Sequence, residues 1–451
     1  MSTNLVILAA GKGTRMKSDL PKVLHEVAHA PLLLHAMQAG AALSPRRTVI
    51  VAGHGAEDVT AASQGLDAKV EIVIQHEQNG TGHAVLCARG PLADAPGDTL
   101  VLYGDTPFIR AETLARMREA RERFDLVVLG FEATDPGRYG RLVMDGNRLE
   151  RIVEFKDASN EERKISFCNS GVILTSNSAL FDLLGQVTND NAAGEYYLTD
   201  IIGLARHAGL SCTAVACDEA ETLGVNSRAD LARAEAAFQA RKRAEMLENG
   251  VGLSAPETVF FAHDTHIGPD TTIEPHVVFG PGVTVENGAR IRAFSHLEGA
   301  HVSRGAIVGP YARLRPGTEL SEDVHVGNFV EIKNAVLGPG AKANHLAYIG
   351  DASVGEQTNI GAGTITCNYD GVFKHRTEIG ARAFIGSDTM LVAPVRVGDE
   401  AMTATGTVVN KDVPEGAMAI ARAPQDNKPG FAKKFFAKLK ARKADEIKKG
   451  E

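Results

Sequence analysis

The feature that most constrains the fold of this chain is a six-residue repeat that follows Pro256. In each hexad one large apolar residue stands among small residues such as Gly, Ala, Ser, Thr and Val. The large apolar positions are Ile267, Ile273, Phe279, Val285, Ile291, Leu297, Val308, Leu314, Leu320, Val326 and Ile332, followed by Ile349, Val354 and Ile360, and then by Ile379, Ile385, Leu391 and Val397. This period predicts a parallel β-helix in which three hexads form one triangular coil, so that roughly 150 residues form about eight to ten coils.

The repeat is interrupted between Thr364 and Glu378. The sequence TCNYDGVFKHRT inserts a polar, turn-rich loop that contains Asn368, Tyr369 and Asp370. Stacking of coils does not require such an excursion, and loops that leave a regular scaffold often carry function. We therefore expect this loop to belong to a binding site.

Residues 1–225 have a different texture, in which apolar runs alternate with polar, helix-compatible stretches. The runs are LVILAA, TVIVAG, VEIVIQ, TLVLYGD, DLVVLGFEA, SGVILTS and TAVAC. Strands this apolar are typical of a sheet that is covered on both faces. They predict an α/β domain of Rossmann-like type with a mostly parallel sheet.

The stretch SRADLARAEAAFQARKRAEMLEN joins these two regions and contains neither Gly nor Pro. Its composition and apolar spacing predict one long helix, which either links two bodies or ends the first domain. The expected organisation is an α/β domain over 1–226, a linker helix over 227–249, a β-helix domain over 250–425 and a basic tail over 426–451.

Charge and composition exclude several classes of protein. The net charge of −8 divides into +6 for residues 428–451 and −14 for the rest, and a body that acidic argues against general binding of nucleic acid. No run approaches the ~18 apolar residues of a membrane span, and the apolar run near the N-terminus lacks the flank and length of a signal peptide. We expect a cytoplasmic protein. The five cysteines form no CxxC pair, so neither a zinc site nor a disulfide framework is indicated.

The tail KPGFAKKFFAKLKARKADEIKK predicts a helix with Phe431, Phe435, Phe436 and Leu439 on one face and lysines opposite. Such a helix suits a membrane surface. Docking on the acidic body, or simple solvation of the helix, is favoured here, and the tail matches no catalytic motif.

The loop LAAGKGTRM near the N-terminus is a candidate phosphate site. The P-loop pattern GxxxxGK[ST] is absent, and the dinucleotide pattern fails because Met16 stands where its third small residue is needed. What remains is a glycine loop with Arg15 and then Pro21-Lys22, whose backbone N–H groups and cations suit a triphosphate. Asp105 ends the buried strand TLVLYGD, where a carboxylate is placed to hold Mg²⁺.

The motif G-x-G-T-R followed by Pro-Lys resembles the sugar-1-phosphate nucleotidyltransferases. The resemblance implies in-line attack of a sugar-1-phosphate oxygen on the α-phosphorus of UTP, with pyrophosphate leaving and with Asp105 and Asn226 as ligands of Mg²⁺. Gln75, Gly80 and Thr81 match the part that reads uracil, and Gly140, Glu154, Asn169 and Asn226 match sugar-binding positions. The full set implied for UTP and the nucleotide sugar is Leu8, Ala9, Ala10, Gly11, Arg15, Lys22, Gln75, Gly80, Thr81, Tyr103, Gly104, Asp105, Gly140, Glu154, Asn169 and Asn226.

The repeat region carries a second polar constellation. Acetylation of an amine needs a base that removes the ammonium proton, and His345 in KANHLAYIGDA is the best candidate. The order of its neighbours resembles the acetyltransferase half of the bacterial bifunctional enzymes that make UDP-N-acetylglucosamine, whose hexapeptide β-helix is left-handed and usually trimeric. The resemblance implies that glucosamine-1-phosphate is held by Arg315, Lys333, Tyr348 and Asn359, and that Glu331 orients His345. It also assigns acetyl-CoA contacts to Ala362, Asn368, Tyr369, Ser387, Thr405 and Arg422, with Thr405 standing where alanine is expected.

The resemblance covers residues 1–425 and predicts a bifunctional enzyme that acetylates glucosamine-1-phosphate and then transfers a uridylyl group to the product, for peptidoglycan and lipopolysaccharide synthesis. Three alternatives are weaker. A pyrophosphorylase of another nucleotide sugar with a regulatory β-helix would not need His345. A non-enzymatic scaffold that shares both folds would not need the glycine loop, Lys22 and Asp105. A γ-type carbonic anhydrase would need a grouping of three histidines that the repeat does not show.

Overall fold

The computed structural model describes residues 2–67 and 69–449, and the last two residues of the basic tail lie outside this range. The chain forms two compact units. The first takes in residues up to 248 together with 260–265, and the second takes in residues 249–259 and those from 266 onward.

The first unit is an α/β domain. Its strands are β1 (Thr3–Ala9), β2 (Glu26–Val27), β3 (Ala30–Pro31), β4 (Thr48–Ala52), β5 (Glu71–Ile74), β6 (Asp98–Tyr103), β7 (Leu126–Glu132), β8 (Arg141–Asp145), β9 (Arg148–Val153), β10 (Phe167–Ser176) and β11 (Cys212–Cys217). Its helices are α1 (Leu32–Ala41), α2 (Ala56–Leu66), α3 (Thr81–Cys87), α4 (Arg89–Leu92), α5 (Ala111–Arg121), α6 (Asn177–Leu184), α7 (Ile201–His207) and α8 (Arg228–Glu248). Short 3₁₀ turns lie at Thr14–Met16, Lys22–Leu24, Glu162–Lys164, Leu198–Asp200 and Glu219–Thr222.

The main sheet has the strand order β11-β7-β10-β6-β1-β4-β5. Its pairs are parallel except for those made by β10, which is antiparallel to both β6 and β7. All seven apolar runs predicted as strands form these seven strands. The hairpin of β8 and β9 was not predicted, although its Gly146-Asn147 turn is a hairpin signal that the sequence contains.

Burial on both faces explains why these strands are continuously apolar. Every residue of β1 is buried, and its alternate side chains enter two different cores. Leu5 and Ile7 pack in one cluster, whereas Val6 and Leu8 pack in the other. The helices therefore cover both faces of the sheet, as a parallel sheet requires.

The strand order reverses at β1, because β4 and β5 follow on one side of it and β6 lies on the other. In open α/β sheets, ligands bind at the carboxyl ends of the strands at such a switch point. The glycine loop follows β1 and Asp105 follows β6, so both sit at this position.

The predicted long helix is α8, and it packs within the first unit. Ala234 and Phe238 of this helix are buried against a cluster that includes Val27, Phe108 and Val225. Gln239 donates to the carbonyl of Phe261 at 2.7 Å and accepts from its N–H at 2.9 Å.

The second unit is a parallel β-helix with three faces. The first face consists of Gly252–Leu253, Thr272–Ile273, Arg290–Ile291, Ile307–Val308, His325–Asn328, Lys342–His345, Asn359–Ile360, Phe384–Ile385, Met402–Thr403 and Met418–Ala419. The second face consists of Val278–Phe279, His296–Leu297, Arg313–Leu314, Glu331–Leu337, Tyr348–Val354, Ile365–Cys367, Met390–Val392 and Val408–Val409. The third face consists of His266–Ile267, Thr284–Val285, Ala300–Val302, Thr318–Leu320, Thr377–Ile379 and Val395–Val397, and the long strands Glu331–Leu337 and Tyr348–Val354 extend onto it. A short 3₁₀ turn lies at Pro256–Thr258.

Each coil stacks on the next in register, so that the large apolar residue of each hexad points inward. Val326 pairs with Ala343, and Ala343 pairs with Ile360, 17 positions later. Ile360 pairs with Ile385, 25 positions later, because this coil contains the inserted loop. The loop thus leaves the solenoid without disturbing the stack.

We call the turn between the first and second faces the first corner. It contains a residue of positive φ at the same place in successive coils, namely His276, Phe294, Tyr311, Phe329, Leu346, Gly363, Asp388 and Gly406, and Gly309 is a second such residue beside Tyr311. The side chains at this position change along the solenoid, because aromatic rings occupy it before Leu346 and small or short residues occupy it afterwards.

The tail ends in α9 (Phe431–Lys449). Its described side chains, up to residue 446, are all exposed. None of the helices that the structure describes is long and apolar enough to cross a bilayer.

Candidate functional site

A pocket of about 260 Å³ opens at the switch point of the first unit. Ten residues predicted to bind UTP line it: Leu8, Ala9, Ala10, Gly11, Lys22, Gln75, Gly80, Thr81, Tyr103 and Asp105. Residues far apart in the chain meet here because the carboxyl ends of β1 and β6 are adjacent. Gln78, which also lines the pocket and donates to the carbonyl of Ala10 at 3.0 Å, was not predicted although it belongs to the same motif as Gly80.

The glycine loop presents backbone donors to this pocket. Among the hydrogen bonds of the described residues, the N–H groups of Gly11, Lys12 and Gly13 have no protein acceptor. Gly13 has φ +58, and a Cβ at this position would lie 2.8 Å from Cβ of Lys22. Glycine therefore allows both the turn and the close packing on Lys22, and the free N–H groups suit phosphate oxygens.

Three of the predicted residues converge on one point. The ammonium of Lys22 forms a short ion pair with Asp105 and lies 3.1 Å from Oδ1 of Asn226. The N–H of Val225 donates to the carbonyl of Asp105 at 2.9 Å, which brings the Asn226 loop to the end of β6. The carboxylate and the amide oxygen thus face a common positive charge.

The residues predicted to read uracil form a second group. Gln75 is buried and its amide donates to the carbonyl of Gly80 at 3.1 Å, with Nδ1 of His83 also at 3.1 Å. The hydroxyl of Thr81 accepts from the N–H of Leu198 at 3.1 Å. These contacts hold the amide of Gln75 at the pocket wall.

Three of the four predicted sugar residues, Gly140, Glu154 and Asn169, lie together. The N–H of Asn169 donates to the carbonyl of Gly140 at 2.8 Å, and a Cβ at Gly140 would lie 3.4 Å from Oε1 of Glu154. Burial raises the pKa of Glu154, although a hydrogen bond from Thr199 opposes the shift. Burial also raises the pKa of Tyr103, with a further contribution from the charges of Asp105 and Glu154.

The last two predicted residues, Arg15 and Gly104, do not line the pocket either. Arg15 is exposed and forms no ion pair with the described residues. Gly104 donates from its N–H to the carbonyl of Leu8 at 2.9 Å and so joins the ends of β1 and β6.

In the second unit, His345 lies at the end of a first-face strand, beside the first corner. Its Nδ1 is 2.8 Å from Oδ1 of Asn328, its partner in the preceding coil. Since an amide oxygen only accepts, this contact places the proton on Nδ1 and leaves the lone pair of Nε2 free.

The expectation that Glu331 orients His345 is not met. Glu331 pairs instead with Arg315 at 2.8 Å and with Arg313 at 3.8 Å. Asn328 makes the contact with His345 that was expected of Glu331. Sequence reasoning missed it, although it lies 17 residues before His345 and thus one coil away.

A polar cluster surrounds Asp351 at the turn from the second to the third face. Asn334 donates to this carboxylate at 2.6 Å, Asn368 forms a short hydrogen bond with it, and Nζ of Lys333 lies 3.8 Å away. Burial alone would raise the pKa of Asp351, but these hydrogen bonds and the charge of Lys333 hold the pKa below its usual value. Asp351 therefore stays ionised and fixes the groups around it.

Lys374 of the inserted loop joins this cluster and was not predicted. Contact with the ammonium of Lys333 lowers the pKa of Lys374. Two adjacent ammonium groups that share one carboxylate leave an excess positive charge, which suits a phosphate. The signal in the sequence was the polar loop itself, but its fold could not be read from the repeat.

Comparison with known proteins identifies the family to which the chain belongs. A model of the MobA-like NTP transferase domain matches residues 5–222, and a model of the bacterial transferase hexapeptide (six repeats) matches residues 264–299. The bifunctional protein GlmU of Ruegeria sp. (strain TM1040) is 71% identical over 99% of this chain and 100% of its own length. The bifunctional protein GlmU of Cereibacter sphaeroides (strain ATCC 17025 / ATH 2.4.3) is 65% identical over 100% of this chain and 99% of its own length. The chain belongs to the family of bifunctional GlmU proteins.

The fold expected for this family, a Rossmann-like α/β nucleotidyltransferase domain and a left-handed parallel β-helix of hexapeptide repeats, is confirmed. The crystal structure of a nucleoside-diphosphate-sugar pyrophosphorylase from Vibrio cholerae RC9 aligns with 51% of the chain and 99% of its own, at a TM-score of 0.44 and 13% identity. That similarity is too low to add to the assignment.

In this member of the family, four residues predicted to bind acetyl-CoA lie in one row on the first corner. The register that pairs Ala343 with Ile360 places Ala362 next to His345. The N–H of Asp388 donates to the carbonyl of Ala362 at 2.7 Å, and the N–H of Gly406 to that of Ser387 at 2.8 Å. Arg422 donates to the carbonyl of Thr405 at 2.6 Å, so Ala362, Ser387, Thr405 and Arg422 continue the line that begins at His345.

The other predicted residues of this half are distributed differently. Asn368 and Tyr369 lie in the inserted loop, where Asn368 faces Asp351 and the hydroxyl of Tyr369 donates to the carbonyl of Gly371 at 2.6 Å. Tyr348 lies on the second face, 3.5 Å from the Asn368 amide, and Asn359 pairs with Lys342 on the first face. Their ligands stay predictions.

Proposed function

We propose that the chain makes UDP-N-acetylglucosamine in two steps. The β-helix transfers an acetyl group from acetyl-CoA to glucosamine-1-phosphate. The α/β domain then transfers a uridylyl group from UTP to N-acetylglucosamine-1-phosphate and releases pyrophosphate. The product serves cell-wall synthesis, namely peptidoglycan and lipopolysaccharide. The observation that carries the proposal is that one chain holds, in separate units, a phosphate loop at a sheet switch point and an imidazole with a free Nε2.

In the uridylyl step the loop N–H groups and Lys22 bind the phosphates of UTP, and Arg15 adds a second cation. Gln75 presents its amide to uracil, while Glu154, Gly140 and Asn169 hold the sugar beside Tyr103. With both substrates fixed, the sugar-phosphate oxygen attacks the α-phosphorus and pyrophosphate leaves opposite to it. Positioning and charge neutralisation carry this reaction, so no covalent nucleophile is assigned.

Magnesium fits this site. Asp105 and Asn226 already aim two oxygen atoms at one positive charge, and Mg²⁺ is commonly held by one or two protein oxygens together with substrate phosphates and water. No group of three or more His, Cys, Asp or Glu side chains suited to a metal exists among the described residues. When bound, the ion would neutralise charge on the triphosphate, with Asp105 and Asn226 as its protein ligands.

In the acetyl step Nε2 of His345 takes a proton from the ammonium of glucosamine-1-phosphate. The neutral amine attacks the thioester carbonyl, a new C–N bond forms and the C–S bond breaks. Coenzyme A leaves as the thiolate and takes up the second proton that the nitrogen releases. Lys333, Lys374 and Arg315 supply positive charge for the sugar phosphate, and Tyr348 and Asn359 border the sugar. The row from Ala362 to Arg422 provides a surface of small residues on which the pantetheine arm of acetyl-CoA lies close to the backbone.

The proposal also covers the domain boundaries and the oligomeric state. Residues 1–226 act as the uridylyltransferase domain, 227–249 as the linker helix, 250–425 as the acetyltransferase domain and 426–451 as a basic tail. The protein works as a homotrimer in the cytoplasm. Self-association is supported by the exposed aromatic side chains on the first corner next to His345, namely Phe294, Tyr311 and Phe329.

A coupled assay with glucosamine-1-phosphate, acetyl-CoA, UTP and Mg²⁺ tests the proposal. His345→Ala should reduce acetyl transfer by about 10²-fold or more while leaving uridylyl transfer from supplied N-acetylglucosamine-1-phosphate intact. Asp105→Ala should do the reverse. If His345→Ala acetylates at the normal rate, the second site is wrong, and normal pyrophosphate release by Asp105→Ala would refute the first.

A further inference from the structure

The C-terminal helix α9 carries an exposed aromatic patch that no part of either site uses. Phe431, Phe435 and Phe436 form one cluster, with ring centroids 6.0 Å and 5.8 Å apart. These rings and Leu439 are between 44% and 59% exposed. Such a concentration of apolar surface is unusual in a chain whose aromatic content is only 5%.

Over residues 431–440 the patch occupies one side of the helix and lysines occupy the other, whereas Arg442, Lys443 and Glu446 of the following turns fall within the arc of the patch. At about 100° per residue, Phe431, Phe435, Leu439 and Phe436 fall within an arc of about 140°. The opposite arc holds Lys433, Lys434, Lys438 and Lys440. Among the described side chains of α9, the only ion pair is Arg442 with Glu446 at 2.9 Å, so the four lysines keep their charge uncompensated.

The helix is not docked on its own chain. Every described side chain from 421 to 446 is exposed, and residues 421–428 form no regular structure. This segment is a tether of about 25 Å when extended. Docking on the acidic body, which the charge distribution favoured, is therefore not what the fold shows.

The occupant of this face must be both apolar and anionic. The interface of an anionic bilayer offers acyl chains to the phenylalanine rings and phosphate headgroups to the lysines. The rest of the chain carries −14, so an anionic surface repels the body and attracts only the tail. A tethered helix resolves this conflict because it binds while the body stays away from the surface.

We propose that α9 is an in-plane anchor that binds the surface of anionic phospholipid membranes, with Phe431, Phe435, Phe436 and Leu439 among the acyl chains and the lysines at the headgroups. Membrane binding leaves both catalytic sites unchanged. It concentrates the enzyme at a lipid surface.

The chain contains no tryptophan, which makes a direct test possible. Phe435→Trp places a single indole in the centre of the apolar arc, and Ala437→Trp places it about 200° away around the helix as a matched control. Each full-length variant is mixed with vesicles of phosphatidylcholine, with or without 30% phosphatidylglycerol. We expect a blue shift of the emission of Phe435→Trp with anionic vesicles and almost none for Ala437→Trp.

Co-sedimentation gives an independent measure. Binding of the unmodified protein to vesicles with phosphatidylglycerol should be at least about tenfold stronger than to neutral vesicles, and should weaken as salt is raised. Replacing Lys433, Lys434, Lys438 and Lys440 by glutamine should abolish this preference without altering acetyl or uridylyl transfer measured in the absence of lipid.

Three results would overturn the inference. A protein that does not sediment with anionic vesicles has no anchor. Sedimentation without a blue shift in Phe435→Trp would mean that the lysines bind a charged surface but the rings stay in water. A blue shift already present without lipid would mean that protein covers the rings, either from the same chain or from a second copy.

Discussion

The side chain that decides the chemistry of the second unit is His345, and its partner decides which ring nitrogen carries the proton. The hydrogen bond to Asn328 holds a proton on Nδ1, so that the lone pair of Nε2 faces away from this contact and can accept a proton. Asn328 touches no reacting atom in this scheme and acts as a positioning residue. A carboxylate in its place would stabilise the imidazolium form instead.

Two substitutions at Asn328 test whether this residue orients the imidazole of His345 or only supports the fold. Asn328→Ala should lower kcat for acetyl transfer about tenfold with little change in KM, because the imidazole loses its fixed orientation. Asn328→Asp should move the acidic limb of the pH profile of kcat/KM to higher pH, by about one unit, because a carboxylate favours the protonated ring. Uridylyl transfer by the same variants is the internal control. An unshifted profile in Asn328→Asp would exclude this role.

Glu154 shows that a binding residue is held at the expense of stability. Burial raises its pKa, so the folded state accommodates the ionised carboxylate less well than the unfolded chain does. Below the usual pKa of 4.5 the carboxyl group is neutral in both the folded and the unfolded state, so the stabilising contribution of the neutral form is complete. This contribution is lost as the pH rises through the raised pKa of the folded state, because the buried group then ionises.

Glu154→Gln should consequently stabilise the substrate-free protein at pH 8, by roughly 1 kcal/mol or about 2–4 °C in Tm, since Gln keeps the bond from Thr199 without the charge. The gain should shrink as the pH falls towards 5. Thermal unfolding at both values measures it. The same variant should have a higher KM for N-acetylglucosamine-1-phosphate. Equal Tm differences at pH 5 and pH 8 would contradict the electrostatic origin.

At the scale of the secondary-structure element, the position of one ring on the second face of the solenoid depends on a glycine. Lys333 and Gly350 are neighbours in adjacent coils. The ring of Tyr348 lies over Gly350, where a Cβ would come within 2.6 Å of Cζ of the ring. Glycine thus keeps Tyr348 in contact range of the Asn368 amide.

Gly350→Ala should displace the Tyr348 ring and lower kcat/KM for acetyl transfer about tenfold, because misplacing a group that positions the substrate is costly even when the fold survives. Gly252→Ala is a matched control in the same solenoid, since its Cβ would meet only ordinary contacts from 3.5 Å. Circular dichroism should be unchanged in both variants. Normal acetyl transfer by Gly350→Ala would show that the ring position is unimportant.

At the scale of the whole molecule, the first corner connects catalysis with self-association. On one side of His345 it carries the stack of His276, Phe294, Tyr311 and Phe329, with successive centroids 4.9, 4.9 and 5.3 Å apart. On the other side it carries the small residues proposed to bind acetyl-CoA. Exposed aromatic rings in a row are typical of an interface.

Tyr311→Asp combined with Phe329→Asp should therefore convert the proposed trimer into smaller species, as measured by size exclusion with light scattering. Acetyl transfer should fall with the trimer, by about tenfold or more, whereas uridylyl transfer should persist because its site lies within the first unit. Leu247→Asp, an exposed apolar position of α8, is the control. A double variant that stays trimeric would show that these rings lie outside the interface.

Much of this molecule was predictable because its periodicities are local. A hexad repeat predicts which side chains point inward independently of the rest of the chain. Continuous apolar runs such as that of β1 predict a sheet that is covered on both faces. The glycine loop was readable because its spacing excludes the other phosphate loops. Weak segments, such as the hairpin of β8 and β9, were missed because their strands are polar on one side.

The sequence by itself determined the two architectures, the phosphate loop and the candidate base. Only the tertiary structure decided which side chains meet: Lys22 with Asp105 and Asn226, Asn328 rather than Glu331 with His345, and Lys374 with Lys333. The physical reason is that these contacts depend on coil register, on the order of strands in the sheet and on the path of one inserted loop. Such long-range geometry brings residues into contact without leaving a pattern along the chain.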